Sequence, residues 1–260
     1  MKLAGVIPVI LLCLASHSSQ VHAQVTQPDK NFNINTQNRL GKLNFPRTGS
    51  PVGRRQGGAR RNGCPDVKQP VTALVPGEKT LNNESVSFLA LTVSEYPTFW
   101  VYTPELSTNL RNGEFVFQDE RGKNIYKTPL TLPEKSGVIG ISLPQQPEYA
   151  LRTNNKYQWY FKIYCGNPEN TSNYYYVKAW VQKVALTPNL ESQLKAAKPK
   201  EYTAYTANQI WQDALTNLAE LRRNNSNSPG LGRDWNDLLK AVGLEEFATA
   251  PIVGRYGSER

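Results

Sequence analysis

The chain has 260 residues, of which 39% are hydrophobic and 20% charged, and its formal net charge is +9 at pH 7. That is enough for one substantial domain with tails. It contains only three cysteines and two histidines, and where these lie excludes several classes of chemistry.

Met1-Lys2 precedes an apolar run from Leu3 to Ala15, followed by polar residues and Val21-His22-Ala23, an A-x-A-like cleavage site. Residues 1–23 therefore read as a secretory signal peptide, since a membrane span needs about 20 apolar residues. Leu12 precedes Cys13 where a lipoprotein signal requires a small residue, so lipid anchoring is not expected. No later stretch is apolar enough to span a bilayer. Cleavage after Ala23 removes Cys13, His17 and His22 and leaves Cys64 and Cys165. In an oxidising compartment these read as one disulfide, with two separate buried thiols as the alternative. Closing a loop of about 100 residues restricts the unfolded chain by about 4–5 kcal/mol in the entropy model. A mature chain without histidine excludes Ser-His-Asp and Cys-His catalysis and histidine-bearing zinc sites. Two cysteines do not make a cysteine-only site either, so no metal and no cofactor is expected.

Residues 24–63 read as a disordered basic tail rich in Gly and Arg, with few apolar residues. Lys30 to Gly63 holds eight Lys or Arg and no Asp or Glu, whereas Cys64 to Arg260 holds 21 basic and 20 acidic residues. Arg54, Arg55, Arg60 and Arg61 form the densest part. In a cytoplasmic protein they would suggest RNA, but a secreted chain points away from nucleic acid. The expected contact is an anionic envelope polymer or lipid head group, and the alternative is a solvated linker.

The folded part is expected over 64–254, with 255–260 as a flexible end. Val71 to Val75 reads as a strand. Phe88 to Val93 and Thr98 to Thr103 follow, flanking Ser94-Glu95-Tyr96-Pro97. In the second of these Phe99 and Val101 point one way and Trp100 and Tyr102 the other, so both faces are expected to be covered and this strand to be central. Glu114 to Asp119 and Ile125 to Leu132 read as a hairpin about the turn Arg121-Gly-Lys-Asn. Gly137 to Leu143 is another strand. The strongest is Tyr157 to Cys165, with Tyr157, Trp159, Phe161, Ile163 and Cys165 on the core face and Gln158, Tyr160, Lys162 and Tyr164 opposite. Tyr174 to Val184 returns, with Tyr174, Tyr176, Lys178 and Trp180 on the outer face. Seven or eight short strands argue for a β-sandwich of immunoglobulin-like or jelly-roll type.

A helical pattern occupies about 188–244. Asn189 to Ala197 is one helix. Thr206-Ala-Asn-Gln209 fits a capping box for a second, from Ala207 to Arg222, with Ile210, Trp211, Ala214, Leu215, Leu218 and Leu221 on its apolar stripe. Asp234 reads as the cap of a third, closed by Gly243. Two or three helices of this size form no core alone. They are expected to dock on the strand face bearing Tyr176 and Trp180.

Several rare motifs occur in a fixed order. Arg60 to Pro65, Leu74-Val75-Pro76, Leu91 to Pro104 and Glu114 to Glu120 are followed by Tyr157-Gln-Trp-Tyr-Phe161 leading to Cys165. Trp180-Val-Gln182, Ile210 to Leu215, Glu220-Leu-Arg222, Trp235 to Leu239 and Val242-Gly-Leu244 complete the series. Together they resemble the cyanobacterial family called domain of unknown function 928, over nearly all of residues 60–254. That family has no assigned activity, so the resemblance implies a phylum and a compartment but no mechanism.

Without histidine an enzyme would rely on paired carboxylates. Neighbours such as Asp119-Glu120 and Glu245-Glu246 diverge on a strand or helix, and only distant residues such as Glu95 and Glu114 could meet in space. No Ser-x-x-Lys motif occurs. The outward aromatic residues Tyr160, Tyr164, Tyr174, Tyr176 and Trp180 are the other candidate, a platform for sugar rings or a partner protein. The reading is a secreted, non-enzymatic sandwich module making protein or glycan contacts in the cell envelope. Its alternative is a carboxylate-dependent hydrolase of envelope polysaccharide.

Overall fold

The structure is a computed structural model, and it describes residues 40, 43, 45, 51–57, 64–107, 110–165 and 172–257. The signal-peptide reading over 1–23 and the residues Arg60 and Arg61 lie outside the described residues. The described part belongs to one compact unit, Asn38–Arg260.

Among the described residues the strands form two sheets. The larger has eight strands. Its path runs β4 (Gly77–Lys79), β5 (Ser85–Ser87), β1 (Gly53–Arg54), β12 (Tyr174–Lys183), β11 (Lys156–Tyr164), β8 (Asn112–Asp119) and β9 (Asn124–Thr131), with β6 (Leu89–Thr92) also pairing β12. The second sheet has five strands, in the order β13 (Ile252–Tyr256), β10 (Gly137–Ser142), β7 (Thr98–Thr103), β3 (Val71–Ala73) and β2 (Gln56–Gly57).

Strand alternation explains the layering. Trp159, Phe161, Ile163, Val177 and Ala179 point from β11 and β12 into the space between the sheets and are fully buried. Phe115 and Phe117 of β8 join them, and Phe99 of β7 meets Phe115 and Trp159 at ring distances of 5.2 Å each. Cys64 and Cys165 are bonded at the margin of this core, their Cα atoms 5.3 Å apart. Peptide mapping without reductant is expected to recover them as one linked pair, and two alkylated free thiols would refute the bond. In the β8–β9 turn, Asp119 Oδ1 accepts from the backbone N–H groups of Arg121 and Lys123 at 2.9 Å each, the local chemistry that favours Asp in turns.

β7 lies in the middle of its sheet with all six residues buried. Trp100 and Tyr102 leave its other face and enter a second core built with the C-terminal helices. Four helices follow β12 among the described residues: α1 (Pro188–Ala197), α2 (Tyr202–Ala207), α3 (Trp211–Asn224) and α4 (Pro229–Lys240). The architecture is thus a β-sandwich with packed C-terminal helices, in three layers. The helices cover the outer side of the five-stranded sheet, and not the face bearing Tyr176 and Trp180 as expected. The physical reason is polar as well as apolar. Trp211 Nε1 donates to the Leu74 carbonyl at 2.9 Å, Trp100 Nε1 donates to Thr216 Oγ1 at 3.0 Å, and Gln212 Nε2 donates to the Thr98 carbonyl. The indoles of Trp211 and Trp100 thus find partners there while their rings are buried.

Local details of the helices also differ. Thr206 does not cap α3. It lies in α2, and its hydroxyl donates to the Thr203 carbonyl at 2.9 Å. Gln209 adopts φ 60° between the two helices. α4 starts earlier than expected, because Ser228 caps it and Pro229 occupies the first position, where a missing N–H is harmless. Asp234 is inside that helix and accepts a 2.5 Å hydrogen bond from the buried Tyr202 hydroxyl. Gly243, at φ 68°, stands just past the helix in the left-handed conformation that favours glycine.

Both chain-end expectations need correction. Gly53–Arg54 and Gln56–Gly57 are strands, Arg55 is 2% exposed, and Phe45 is buried in the second core. Residues 53–57 of the basic segment are therefore part of the fold. A Cβ at position 53 would collide with the Lys178 carbonyl and the Ser87 hydroxyl, so the glycine there allows close strand approach. At the other end, Ile252–Tyr256 is a strand pairing parallel with β10. It is anchored by Arg255, which donates to Ser142 Oγ at 3.1 Å and pairs with Glu220. Residues 255 and 256 are therefore not a loose end.

Candidate binding face

The outer face of the eight-stranded sheet carries the aromatic residues singled out from the sequence. Tyr160 and Tyr164 of β11 and Tyr174 and Tyr176 of β12 all lie on it and are half-buried. Trp180 shares the face but is 7% exposed, so it serves as a wall more than as a platform. Tyr164 and Tyr174 meet edge to face at 6.0 Å, and Tyr174 meets Tyr176 at 5.8 Å. A groove of about 290 Å³ is lined by Val116, Gln118, Tyr160, Lys162, Tyr174 and Tyr176.

Register sets what lies between the rings. One row runs from Lys127 through Val116, Tyr160, Lys178, Arg54 and Val86 to Glu78, crossing seven strands. The adjacent row holds Pro129, Glu114, Lys162 and Tyr176. Cations and aromatic rings are thus neighbours on this face, and Lys178 and Arg54 stand side by side. Arg54 lies 4.9 Å from the centre of the Tyr176 ring, Lys162 lies 5.3 Å from Tyr174, and Lys178 lies 5.3 Å from both Tyr160 and Trp180. Such contacts hold a cation without a carboxylate partner.

Glu114 is the acidic exception. It pairs with Lys127 at 2.8 Å and Lys162 at 3.1 Å. Burial pushes its pKa up, but hydrogen bonds from Lys127, Lys162 and Tyr164 outweigh that and hold it below the ordinary carboxylate value. The Tyr164 hydroxyl is pushed up to about 12, first by burial and then by Glu114. Glu114 is thus an ionised anchor for two lysines, not a general acid at neutral pH. Lys162 and Lys178 were visible in the sequence on the same strand face as the tyrosines. Arg54 was read as part of the basic tail and not as a member of this face, because its strand is two residues long. Strand parity on β11 and β12 is the signal that places the two lysines there.

A second concavity of about 410 Å³ lies between the β4 region and the end of α4, lined by Phe45, Phe88, Arg55, Glu78, Glu245 and Glu246 among others. Arg55 is committed here. Its Nη1 donates to the Val242 carbonyl at 2.6 Å, its Nη2 to Gly243 at 3.3 Å and its Nε to Ser85 Oγ at 3.2 Å. Burial lowers its pKa to about 10 against the opposing pull of Glu246, Glu245 and Glu78. Of the carboxylates considered from the sequence, Glu95 pairs with Lys183 at 2.9 Å and Asp119 is held by its own turn. Among the described residues no group of His, Cys, Asp or Glu is placed to hold a metal ion, and no helix is long and apolar enough to cross a membrane.

No curated protein matches the chain. Among solved structures it is similar to a b-glucuronidase from Ruminococcus gnavus in complex with N1-substituted uronic isofagomine, at 9% identity and a TM-score of 0.22. The same enzyme in complex with D-glucuronic acid also matches, at 9% identity and a TM-score of 0.21. Both alignments cover 70% of this chain and 50% of the other, so the chain spans half the length of those structures, and the likeness is too slight to carry an argument. The family described as Domain of Unknown Function (DUF928) matches residues 55–252, and the chain belongs to that family.

Proposed function

We propose that the chain is a non-enzymatic module that works outside the cytoplasm, in the envelope of a cyanobacterial cell, and binds glycan through the outer face of its eight-stranded sheet. One observation carries this reading. The helices pack on the outer side of the five-stranded sheet and against β6, while Tyr160, Tyr164, Tyr174 and Tyr176 keep part of their surface exposed on the outer face of the eight-stranded sheet. A row of half-buried rings beside a groove suits the flat apolar faces of sugar rings, and the phenol hydroxyls offer hydrogen bonds at the rim. The disulfide fits an oxidising compartment, and the leader-like start of the sequence supports the same location. Nucleic acid is not the partner in this reading.

The test is co-sedimentation of the purified protein with isolated envelope polysaccharide, followed by calorimetry with soluble dextran and polygalacturonate. Tyr160→Ala and Tyr174→Ala are each expected to weaken binding about five- to tenfold, the loss of roughly 1 kcal/mol per ring contact, with an unchanged unfolding midpoint. Equal binding by both variants would remove the tyrosine face from the mechanism. Release of new reducing ends during the incubation would instead favour the carboxylate-dependent hydrolase.

A further inference from the structure

We infer that the glycan this face takes is acidic, with a carboxylate or sulfate of its repeating unit seated between Arg54 and Lys178. The inference rests on the glycan-binding reading above and narrows it to a class of ligand. Arg54 and Lys178 are directly opposed across the β1–β12 pair. Directly opposed residues have their Cβ atoms about 5 Å apart, and like charges there repel. Among the described residues neither enters an ion pair. The contrast with the next row is direct, for there Lys127 and Lys162 share Glu114. The sheet thus neutralises one pair of cations and leaves the other without an anion.

The two side chains are held apart by different rings. Arg54, which is exposed, turns over Tyr176, while Lys178 turns towards Tyr160 and Trp180. An anionic group above the strand pair would receive charge-assisted hydrogen bonds from both sides. The groove beside them, with Tyr160, Tyr174 and Tyr176 along it, would take the ring that carries that group. A neutral sugar would use the rings and leave the two cations opposed. An acidic one uses both features, and this charge complementarity selects it. Register puts the nearest acid on this row, Glu78, two strands from Arg54. At about 4.8 Å per strand it stands too far to replace the missing anion.

The experiment measures binding of the full mature chain to polygalacturonate, dextran sulfate and dextran of matched length by calorimetry, at two salt concentrations. Both acidic polymers should bind more tightly than dextran, and added salt should weaken them. The carboxylated and sulfated arms show which acidic group is preferred. Arg54→Gln with Lys178→Gln should lower affinity for the preferred acidic polymer at least about tenfold and remove most of its salt dependence. Arg233→Gln with Lys240→Gln removes the same charge from the exposed side of α4 and should leave affinity within about twofold. Thermal unfolding of each variant checks that the fold persists. Equal affinity for dextran and the acidic polymers, unchanged by the Arg54 and Lys178 substitutions, overturns this inference and leaves glycan binding standing. Loss of binding in the α4 variant equal to that in the sheet variant overturns it as well, because net charge alone would then explain the result. Binding to phosphatidylglycerol vesicles with none to any of the three polymers overturns both this inference and the reading it rests on.

Discussion

Trp211→Ala is expected to destabilise the whole protein by about 3–5 kcal/mol, the range for removing a buried aromatic side chain. Trp211 is fully buried, its ring meets Phe45 edge-on at 4.8 Å, and its indole N–H donates to the Leu74 carbonyl at 2.9 Å. Alanine would leave a cavity between α3 and the five-stranded sheet and a carbonyl without its donor. Because Trp100 and Tyr102 of β7 line the same core, and Phe99 and Val101 of the same strand line the other, the loss should appear in one cooperative transition. Urea unfolding followed by tryptophan fluorescence and by far-ultraviolet circular dichroism measures it. A chain ending after Leu186 should be insoluble or molten, since the outer side of β7 would face water. Unfolding of that truncated chain at the midpoint of the full chain would mean the helices are an appendage.

Which face the helices chose was the part of the fold that sequence pattern could not settle. Period-two alternation marked Phe99 and Val101 against Trp100 and Tyr102, and it correctly placed β7 between two covered layers. The same alternation gave the outer tyrosines of β11 and β12. It offered no means of ranking two apolar faces for one amphipathic helix. The choice rests on long-range hydrogen bonds, such as Trp100 to Thr216 and Trp211 to Leu74, that no local pattern encodes. The candidate face was therefore legible as a set of residues but not as an open surface. Short strands were the other loss. β1, β2, β4 and β5 have two or three residues each, too few for any period to show. Their Gly, Ser and Arg content reads as linker chemistry, yet at Gly53 it is close strand approach that excludes a side chain. The cation pair of Arg54 and Lys178 depends on one of these short strands, so it became visible only with the register.

Arg55→Met should lower stability by about 2–4 kcal/mol, whereas Arg54→Gln should change it by less than about 0.5 kcal/mol. The two arginines are adjacent and look equivalent in a basic run, but strand alternation sends them to opposite sides. Arg54 is exposed over Tyr176, and Arg55 is 2% exposed with its guanidinium turned to the end of α4. There it supplies donors to the Val242 and Gly243 carbonyls, which follow the last turn of that helix and have few other partners. A cation at a helix C-terminus also meets the negative end of the helix dipole. Its backbone adds two further ties: the N–H donates to the Ser85 carbonyl and the carbonyl accepts from Ala73, both at 2.8 Å. Methionine keeps much of the stem's packing and leaves those backbone bonds intact, so the measured loss isolates the guanidinium. Urea unfolding of both variants at pH 7 decides the matter. Equal and small losses would mean that Arg55 sits at a solvated surface and that the basic segment is bound less firmly than its hydrogen bonds imply. A large loss for Arg55 alone would separate one structural arginine from its neighbour on the binding face, and would make Arg54 a clean site for testing the acidic-glycan contact.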